Sequence, residues 1–352
     1  MKISTFLLTS AFAIVALAPL RAQISNNAED IFERGRQMVQ RKQFVEASAL
    51  WDSIANLKIS PDHKAKYLAI NGILQRDSLH NQTKAQQYFT QAEALYPEIE
   101  KLKSKEVEIG IIYASMGLAA QADTLKQYGT AITHYEKAID FINNIIVEDK
   151  RGIGMTDNDL NLMLYSFEQS RAVDYGHNHQ FEDAESAFEE LKFNYGQMEL
   201  SPDPEMVMQG WMFGCLSQQQ YILMFENDMN DLAKALSETN TLLNKLLRGL
   251  SSDNTAIAEG LSYQMPMFLY HAARINLKNK DADQALKLCS NAMLWTSADE
   301  WKPYITNIQG EALLVQGKED EARKCWDEVL KLKPNFYSIE GVEHALNDHF
   351  KK

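Results

Sequence analysis

A spacing of small, aromatic and aliphatic residues recurs through most of the 352-residue chain. Near the C-terminal end, Gly310 is followed 12 residues later by Ala322, and then by Trp326 and Val329 at steps of 4 and 3. Five further copies have their second small residue at Ala47, Ala85, Ala131, Ala184 and Ala285, and a weaker seventh copy has it at Ala235. Self-similarity of this kind is typical of arrays in which each structural unit packs only against its neighbours.

The spacing predicts pairs of antiparallel helices. Steps of 4 and 3 place three side chains on one face of an α-helix. The small residue 12 positions earlier then belongs to the preceding helix, with a short turn between the two. Glycine inside a helix costs about 1 kcal/mol relative to alanine, so Gly35 and Gly310 indicate close contact between the paired helices. With only 16 glycines and 8 prolines, the chain is predicted to be all-α.

The stretch 303–336, with its small residues, its aromatic residue and Pro334 at the end, resembles a tetratricopeptide repeat. The resemblance implies a right-handed superhelical solenoid of about seven helical hairpins in one domain, residues 23–352. The copies are expected around 28–60, 67–100, 112–146, 160–196, 205–248, 264–296 and 303–336, with a C-terminal capping helix over 337–352. The copy at 205–248 has Leu223 where a small residue is expected, so a generic helical hairpin is an equal alternative there.

Residues 1–22 have the pattern of a secretory signal peptide. Lys2 precedes an apolar run that ends at Leu20, and small residues follow. Cleavage after Ala22 is expected, with an uncleaved membrane anchor as the alternative, and the segment resembles export signals of Bacteroidetes. No later stretch of the sequence is long and apolar enough to span a bilayer. The sequence therefore predicts an exported protein, either periplasmic or secreted.

Charge and motifs exclude several classes of function. The chain has 35 basic and 48 acidic residues, which disfavours nucleic acid as a partner because nucleic acid attracts basic patches. The sequence contains no G-x-S-x-G, GxxxxGK[ST], HExxH or GxGxxG motif. His177 and His179 lie near Asp174 and Glu182, but this segment is predicted to be a polar turn rather than a metal site. We expect no enzyme, no cofactor, no metal and no catalytic residues.

The resemblance also implies where a partner binds. In tetratricopeptide repeat proteins the first helix of each pair lines the inner face, whose side chains contact the ligand. Carried over copy by copy, this implies partner-binding side chains of mixed character: Arg36, Tyr113, Tyr270, Arg274, Asn307 and Glu311. The implied function is a non-enzymatic exported scaffold that binds a protein or peptide partner in the cell envelope. Binding of a glycan or small ligand on the same scaffold is the alternative, because surface glycan-binding proteins of Bacteroidetes carry similar helices.

Overall fold

A computed structural model describes residues 26–54, 57–102, 109–147, 156–225, 232–252, 256–295 and 298–332. Within these ranges the chain forms fifteen α-helices and no β-strand. The predicted signal peptide, 1–22, and the predicted capping helix, 337–352, lie outside the described residues.

The helices follow one another with short connections. Their bounds are α1 Asn26–Gln40, α2 Phe44–Ile54, α3 Pro61–Asp77, α4 Gln82–Glu93, α5 Tyr96–Ile99, α6 Gly110–Thr124, α7 Tyr128–Val147, α8 Asp157–His177, α9 Phe181–Met198, α10 Pro204–Phe225, α11 Leu232–Ser252, α12 Ala256–Lys278, α13 Ala282–Ala292, α14 Ala298–Val315 and α15 Glu319–Lys331. Apart from the single turn of α5, they follow one another as seven consecutive pairs: α1–α2, α3–α4, α6–α7, α8–α9, α10–α11, α12–α13 and α14–α15. Packing contacts join the two helices in α1–α2, α3–α4, α6–α7, α10–α11, α12–α13 and α14–α15. The predicted all-α fold of about seven helical hairpins is confirmed.

The repeated small residues lie where the two helices of a pair meet. The second-helix alanines have no exposed surface: Ala47, Ala85, Ala131, Ala184, Ala285 and Ala322. A Cβ atom added at Gly310 would lie 2.7 Å from Trp326 Nε1, and one added at Gly35 would lie 2.0 Å from Trp51 Nε1. The aromatic ring of the second helix therefore occupies the space that a side chain on the first helix would need, which explains glycine at these two positions.

A residue with a left-handed backbone conformation follows the first helix of most pairs. The residues between paired helices that have a positive φ are Lys42, His80, Lys126, His179, Lys280 and Gly317. In one of these turns Asp281 N donates to Asn276 O at 2.9 Å, which closes the end of α12 as a Schellman motif. This turn reverses the chain within a few residues and allows the second helix to pack back on the first.

The chain divides into two compact units, residues 1–187 and 188–352. In the first unit, α6 packs against α3, α4 and α7, and α7 packs against α8. In the second unit, α10 packs against α11 and α12, and α12 packs against α14. Each unit has an extended core, centred on Phe89, Ile112 and Ile142 in the first and on Phe268, Leu246 and Ile305 in the second.

A pair of acidic side chains is buried in the first unit. The carboxyl of Asp174 on α8 shares a hydrogen bond with that of Asp123 on α6. Asp174 is 2% exposed, so burial raises the pKa of its carboxyl to about 9, and the neighbouring charge of Asp123 acts in the same direction. The sequence predicts an exposed polar turn at His177 to His179, and these three residues are exposed, whereas the neighbouring Asp174 is buried. The nearby His177 ring packs on Tyr128 with centroids 4.8 Å apart.

Candidate functional site

Four of the six predicted binding residues lie together in the second unit. Tyr270 and Arg274 are one turn apart on α12, and Asn307 and Glu311 are one turn apart on α14. Because residues four positions apart share a helix face and the two helices pack together, the four side chains lie together. Arg274, Asn307 and Glu311 are partly exposed, whereas Tyr270 is 9% exposed and belongs to the core beneath them. We call Tyr270, Arg274, Asn307 and Glu311, together with the rings described below, the α12–α14 surface.

The polar side chains of this surface are connected. Asn307 Nδ2 donates to Glu311 Oε1 at 2.9 Å, and the Tyr270 hydroxyl has a hydrogen bond with Arg274. Burial raises the pKa of the Glu311 carboxyl, while the Asn307 amide and the Arg274 charge lower it. Arg274 and Glu311 therefore act on each other as opposite charges, and the surface carries no large excess of either sign.

Two aromatic residues that the sequence interpretation did not include complete the surface. The ring of Tyr270 lies 5.7 Å from Trp301 and 6.1 Å from Tyr304, measured between centroids. Trp301 and Tyr304 lie 5.7 Å apart, and both are partly exposed at the start of α14. Tyr304 stands one turn before Asn307, so the helical period of α14 was the signal that could have identified it.

His271 lies behind these rings and is completely enclosed. It is 0% exposed, and within the described residues neither of its ring nitrogens has a hydrogen-bond partner. Burial and the nearby Arg274 charge lower the pKa of the imidazole to about 3. The ring is therefore neutral and packs against Tyr270 and Trp301, with centroids 5.2 and 6.5 Å away.

The other two predicted residues belong to the first unit and do not form a comparable surface. Arg36 Nη1 pairs with Glu33 Oε1 at 2.9 Å on the same helix, and its side chain is 27% exposed. Tyr113 is 3% exposed and belongs to the core of the first unit. The structure therefore gives Arg36 a place at the surface and encloses Tyr113.

The arrangement on α12 and α14 is suited to binding. It combines three aromatic rings, a charged pair and an amide, which offer apolar area and directional hydrogen bonds. In the part of the chain that the structure describes, no three His, Cys, Asp or Glu side chains are grouped as ligands for a metal ion. None of the helices in those ranges is long and apolar enough to cross a membrane.

Comparison with known proteins supports the fold. No protein-family model matches the sequence, and no curated protein matches it. A solved tetratricopeptide repeat protein from Parabacteroides merdae is 12% identical, with a TM-score of 0.56, and the match covers 90% of this chain and 98% of that chain.

Other solved structures are more distant. The TPR domain of P58(IPK) is 12% identical with a TM-score of 0.25, covering 93% of this chain and 100% of that chain. A human IFIT1 dimer with m7Gppp-AAAA is 11% identical with a TM-score of 0.30, covering 89% of this chain and 74% of that chain. These TM-scores are too low to bear on the fold, so the structural evidence for the fold comes from the Parabacteroides protein. With its seven helix pairs, the chain has the tetratricopeptide repeat fold.

Proposed function

We propose that the protein is a non-enzymatic, exported scaffold that binds a protein or peptide partner in the cell envelope through the α12–α14 surface. The observation that carries the proposal is the convergence of Tyr270, Arg274, Asn307 and Glu311 with the rings of Trp301 and Tyr304. Fold alone does not determine function, so the argument depends on this site.

The composition of the surface is that of a protein-binding hot spot. Tryptophan, tyrosine and arginine dominate the binding energy of protein interfaces because they combine large apolar area with a polar group. Trp301, Tyr304 and Arg274 are all partly exposed, and each can therefore contact a partner without unfolding of the helices. The Arg274–Glu311 pair adds charges of both signs, which favours a partner with a specific polar arrangement over a uniformly charged one.

Co-purification from native envelopes tests the proposal. The double variant Trp301→Ala, Arg274→Ala is expected to lose the partners that the wild-type protein recovers. Phe193→Ala is the matched control, because Phe193 is an exposed aromatic residue on α9 of the same unit, outside the surface. Circular dichroism establishes that each variant is folded. Recovery of every partner by the folded double variant would refute the proposed surface.

Export and ligand class have separate tests. Intact mass of the protein isolated from envelopes is expected to correspond to a chain that starts at Gln23, and a chain retaining residues 1–22 contradicts cleavage.

The glycan alternative derives support from the same aromatic rings, because aromatic side chains also bind sugars. A glycan array with the wild-type protein separates the two, since a specific hit that Trp301→Ala abolishes favours the glycan.

A further inference from the structure

We infer that one edge of the first unit binds the surface of an anionic lipid bilayer. This edge, which we call the turn edge, comprises the turns that join α1 to α2, α3 to α4, α6 to α7 and α8 to α9. The inference goes beyond the proposed function, because it concerns a different part of the molecule and the way in which the protein is held in the envelope.

Basic residues occupy a special backbone position in these turns. The residue five positions before the second-helix alanine is exposed and has a φ of 61°, 51°, 58° and 62° at Lys42, His80, Lys126 and His179 respectively. Glycine adopts such a left-handed conformation at the least cost, and Gly317 occupies the same position in the last repeat. The first four turns therefore present a basic side chain where glycine would suit the fold better.

Contacts between neighbouring pairs make the four turns one continuous edge. Near the ends of the first two turns, Gln75 Nε2 on α3 donates to Ser48 Oγ on α2 at 2.7 Å. Gln121 Nε2 on α6 donates to a backbone oxygen at the start of α4 at 3.3 Å. The rings of Tyr128, at the start of α7, and His177, at the end of α8, have centroids 4.8 Å apart. Each contact joins one turn to the next, so a single partner surface can reach them all.

The first three turns carry an excess of positive charge, although the chain as a whole is acidic. Their exposed cationic side chains are Arg41, Lys42, Lys84 and Lys126. The exposed acids beside them are Glu46 and Asp77, and Arg76 holds the Asp77 carboxylate through N–O distances of 2.6 and 2.9 Å. Glu182 and Asp183 make the fourth turn more acidic. Anionic headgroups attract clustered Lys and Arg side chains, so the first three turns supply the electrostatic part of binding.

The exposed apolar side chains of the first unit lie on the same edge. Among its described residues three large apolar side chains are exposed: Val45 by 66%, Leu125 by 61% and Phe181 by 48%. Each stands within three positions of the left-handed residue of its turn. Basic side chains next to apolar ones are characteristic of surfaces that lie on a membrane. A dissolved polyanion would pair with the charges and leave these apolar side chains in water, so the combination favours a bilayer.

Cosedimentation with vesicles tests the inference. The protein isolated from envelopes, in the form that its intact mass defines, is mixed with vesicles of equal parts phosphatidylglycerol and phosphatidylcholine. We expect it to bind these vesicles about tenfold or more tightly than pure phosphatidylcholine vesicles, and to dissociate from them as the salt concentration rises. Equal binding to the two kinds of vesicle, or binding to neither, would overturn the inference.

Glycine variants remove charge from the turn edge without harm to the fold. The double variant Lys42→Gly, Lys126→Gly is expected to bind anionic vesicles about 25-fold more weakly, because each lysine near such a surface contributes about fivefold. Its melting temperature is expected to stay the same or to rise, because glycine suits the left-handed backbone.

The matched control is the double variant Lys58→Gln, Lys101→Gln. Both lysines are exposed and lie in connections between pairs, at the opposite end of the helices from the turn edge. This control loses the same charge and is expected to keep vesicle binding within about twofold. Equal losses by the two double variants, or unchanged binding by the glycine variant, contradicts a membrane contact at the turn edge.

A third double variant tests the apolar contact. Val45→Gln, Leu125→Gln keeps the charge and changes only exposed side chains, so the fold is expected to be retained. Vesicle binding is expected to fall about fivefold or more, because burial of either side chain in the bilayer interface is lost. Unchanged binding by this variant, together with a loss by the glycine variant, indicates a purely ionic contact with an acidic macromolecule and overturns the bilayer.

The partner-binding variant separates this inference from the proposed function. Trp301→Ala, Arg274→Ala is expected to bind anionic vesicles as the wild-type protein does. If that variant loses the co-purified partners while the wild-type protein ignores vesicles, the proposed function stands and the membrane contact is refuted. If vesicle binding follows the turn edge while every partner is retained, the membrane contact stands and the α12–α14 surface is refuted.

Discussion

Replacing Asp174 by asparagine tests the buried acid pair of the first unit. Asp174 and Asp123 face each other from α8 and α6, and their carboxyls share a hydrogen bond. The groups around the pair are the Tyr135 hydroxyl from α7 and the imidazole of His177 from α8. Burial lowers the pKa of His177, so this imidazole supplies little positive charge at neutral pH, and the pair is held together by a proton.

The expected effect follows from proton linkage. The folded-state pKa of Asp174 is about 9, against 3.8 for an ordinary aspartate. A carboxyl group whose pKa is higher in the folded than in the unfolded state makes its full contribution to stability at a pH below the pKa of the unfolded state. That contribution is lost as the pH rises towards the folded pKa, because the folded state keeps a proton that the unfolded state has released. The free energy of unfolding therefore decreases by at most about 1.4 kcal/mol per pH unit, or about 4 kcal/mol between pH 5 and pH 8.

Asparagine removes this linkage. It keeps the size of the side chain and can donate a hydrogen bond to Asp123, but it binds no proton. The difference in stability between Asp174→Asn and the wild-type protein is therefore expected to be small at pH 5 and to grow in favour of the variant towards pH 8. Asp140→Asn is the control, because Asp140 is exposed on the neighbouring α7.

The free energy of local unfolding is the appropriate quantity to measure, because repeat arrays can unfold in parts instead of in one global transition. Hydrogen exchange of α6 and α8 peptides, compared between proteins at each pH, gives the difference in opening free energy. Asp123→Asn provides a second variant with the same expected trend. If the opening free energies of the wild-type protein and both variants change in parallel between pH 5 and pH 8, the shared-proton account is refuted.

Three further predictions concern single residues. Gly310→Leu is expected to destabilise the protein by about 1–3 kcal/mol, because the added Cβ would lie 2.7 Å from Trp326 Nε1; an unchanged urea midpoint contradicts the close helix contact. Lys280→Gly is expected to stabilise by about 0.5–1 kcal/mol in thermal melts, because Lys280 has φ 63°; a lower melting temperature contradicts this reasoning. Burial keeps the folded pKa of His271 at about 3, so the wild-type protein is expected to lose stability as the pH falls from 6.5 towards 3. His271→Leu is expected to remove this loss; melting temperatures of variant and wild-type protein that change in parallel between pH 7 and pH 5 argue against it.

The helix pairs could be predicted because they depend on local spacing. Ala322, Trp326 and Val329 lie on one face of α15 for geometric reasons alone, and all three have no exposed surface. The turns were less readable, because a left-handed helix end is signalled by glycine and only Gly317 provides one. At Lys42 and Lys280 the same conformation is imposed by the packing of the pair and has no signature in the sequence.

The binding surface could be predicted in part. Tyr270 and Arg274 share a helix face, as do Asn307 and Glu311, and consecutive repeats bring the two faces together. Tyr113 comes from an earlier position of the third copy, 18 residues before Ala131, whereas Tyr270 is 15 residues before Ala285. Since α6 is packed by α3, α4 and α7, Tyr113 is enclosed. The enclosure depends on how closely the neighbouring pairs approach, which the repeat spacing does not specify.

The copy over 205–248 is where the repeat pattern is weakest, and this has a physical interpretation. The α10 helix is largely apolar, yet it buries Gln219 and Gln220. The side chain of Gln219 bonds to α12, whereas Gln220 has no partner among the described residues. An unpaired buried amide costs about 1–3 kcal/mol, so a purely structural role predicts an aliphatic residue at this position. Gln220→Met is therefore expected to raise the free energy of unfolding by about 1–3 kcal/mol, and a lower urea midpoint for this variant would contradict the reasoning, because it would show that the glutamine is paired inside the fold.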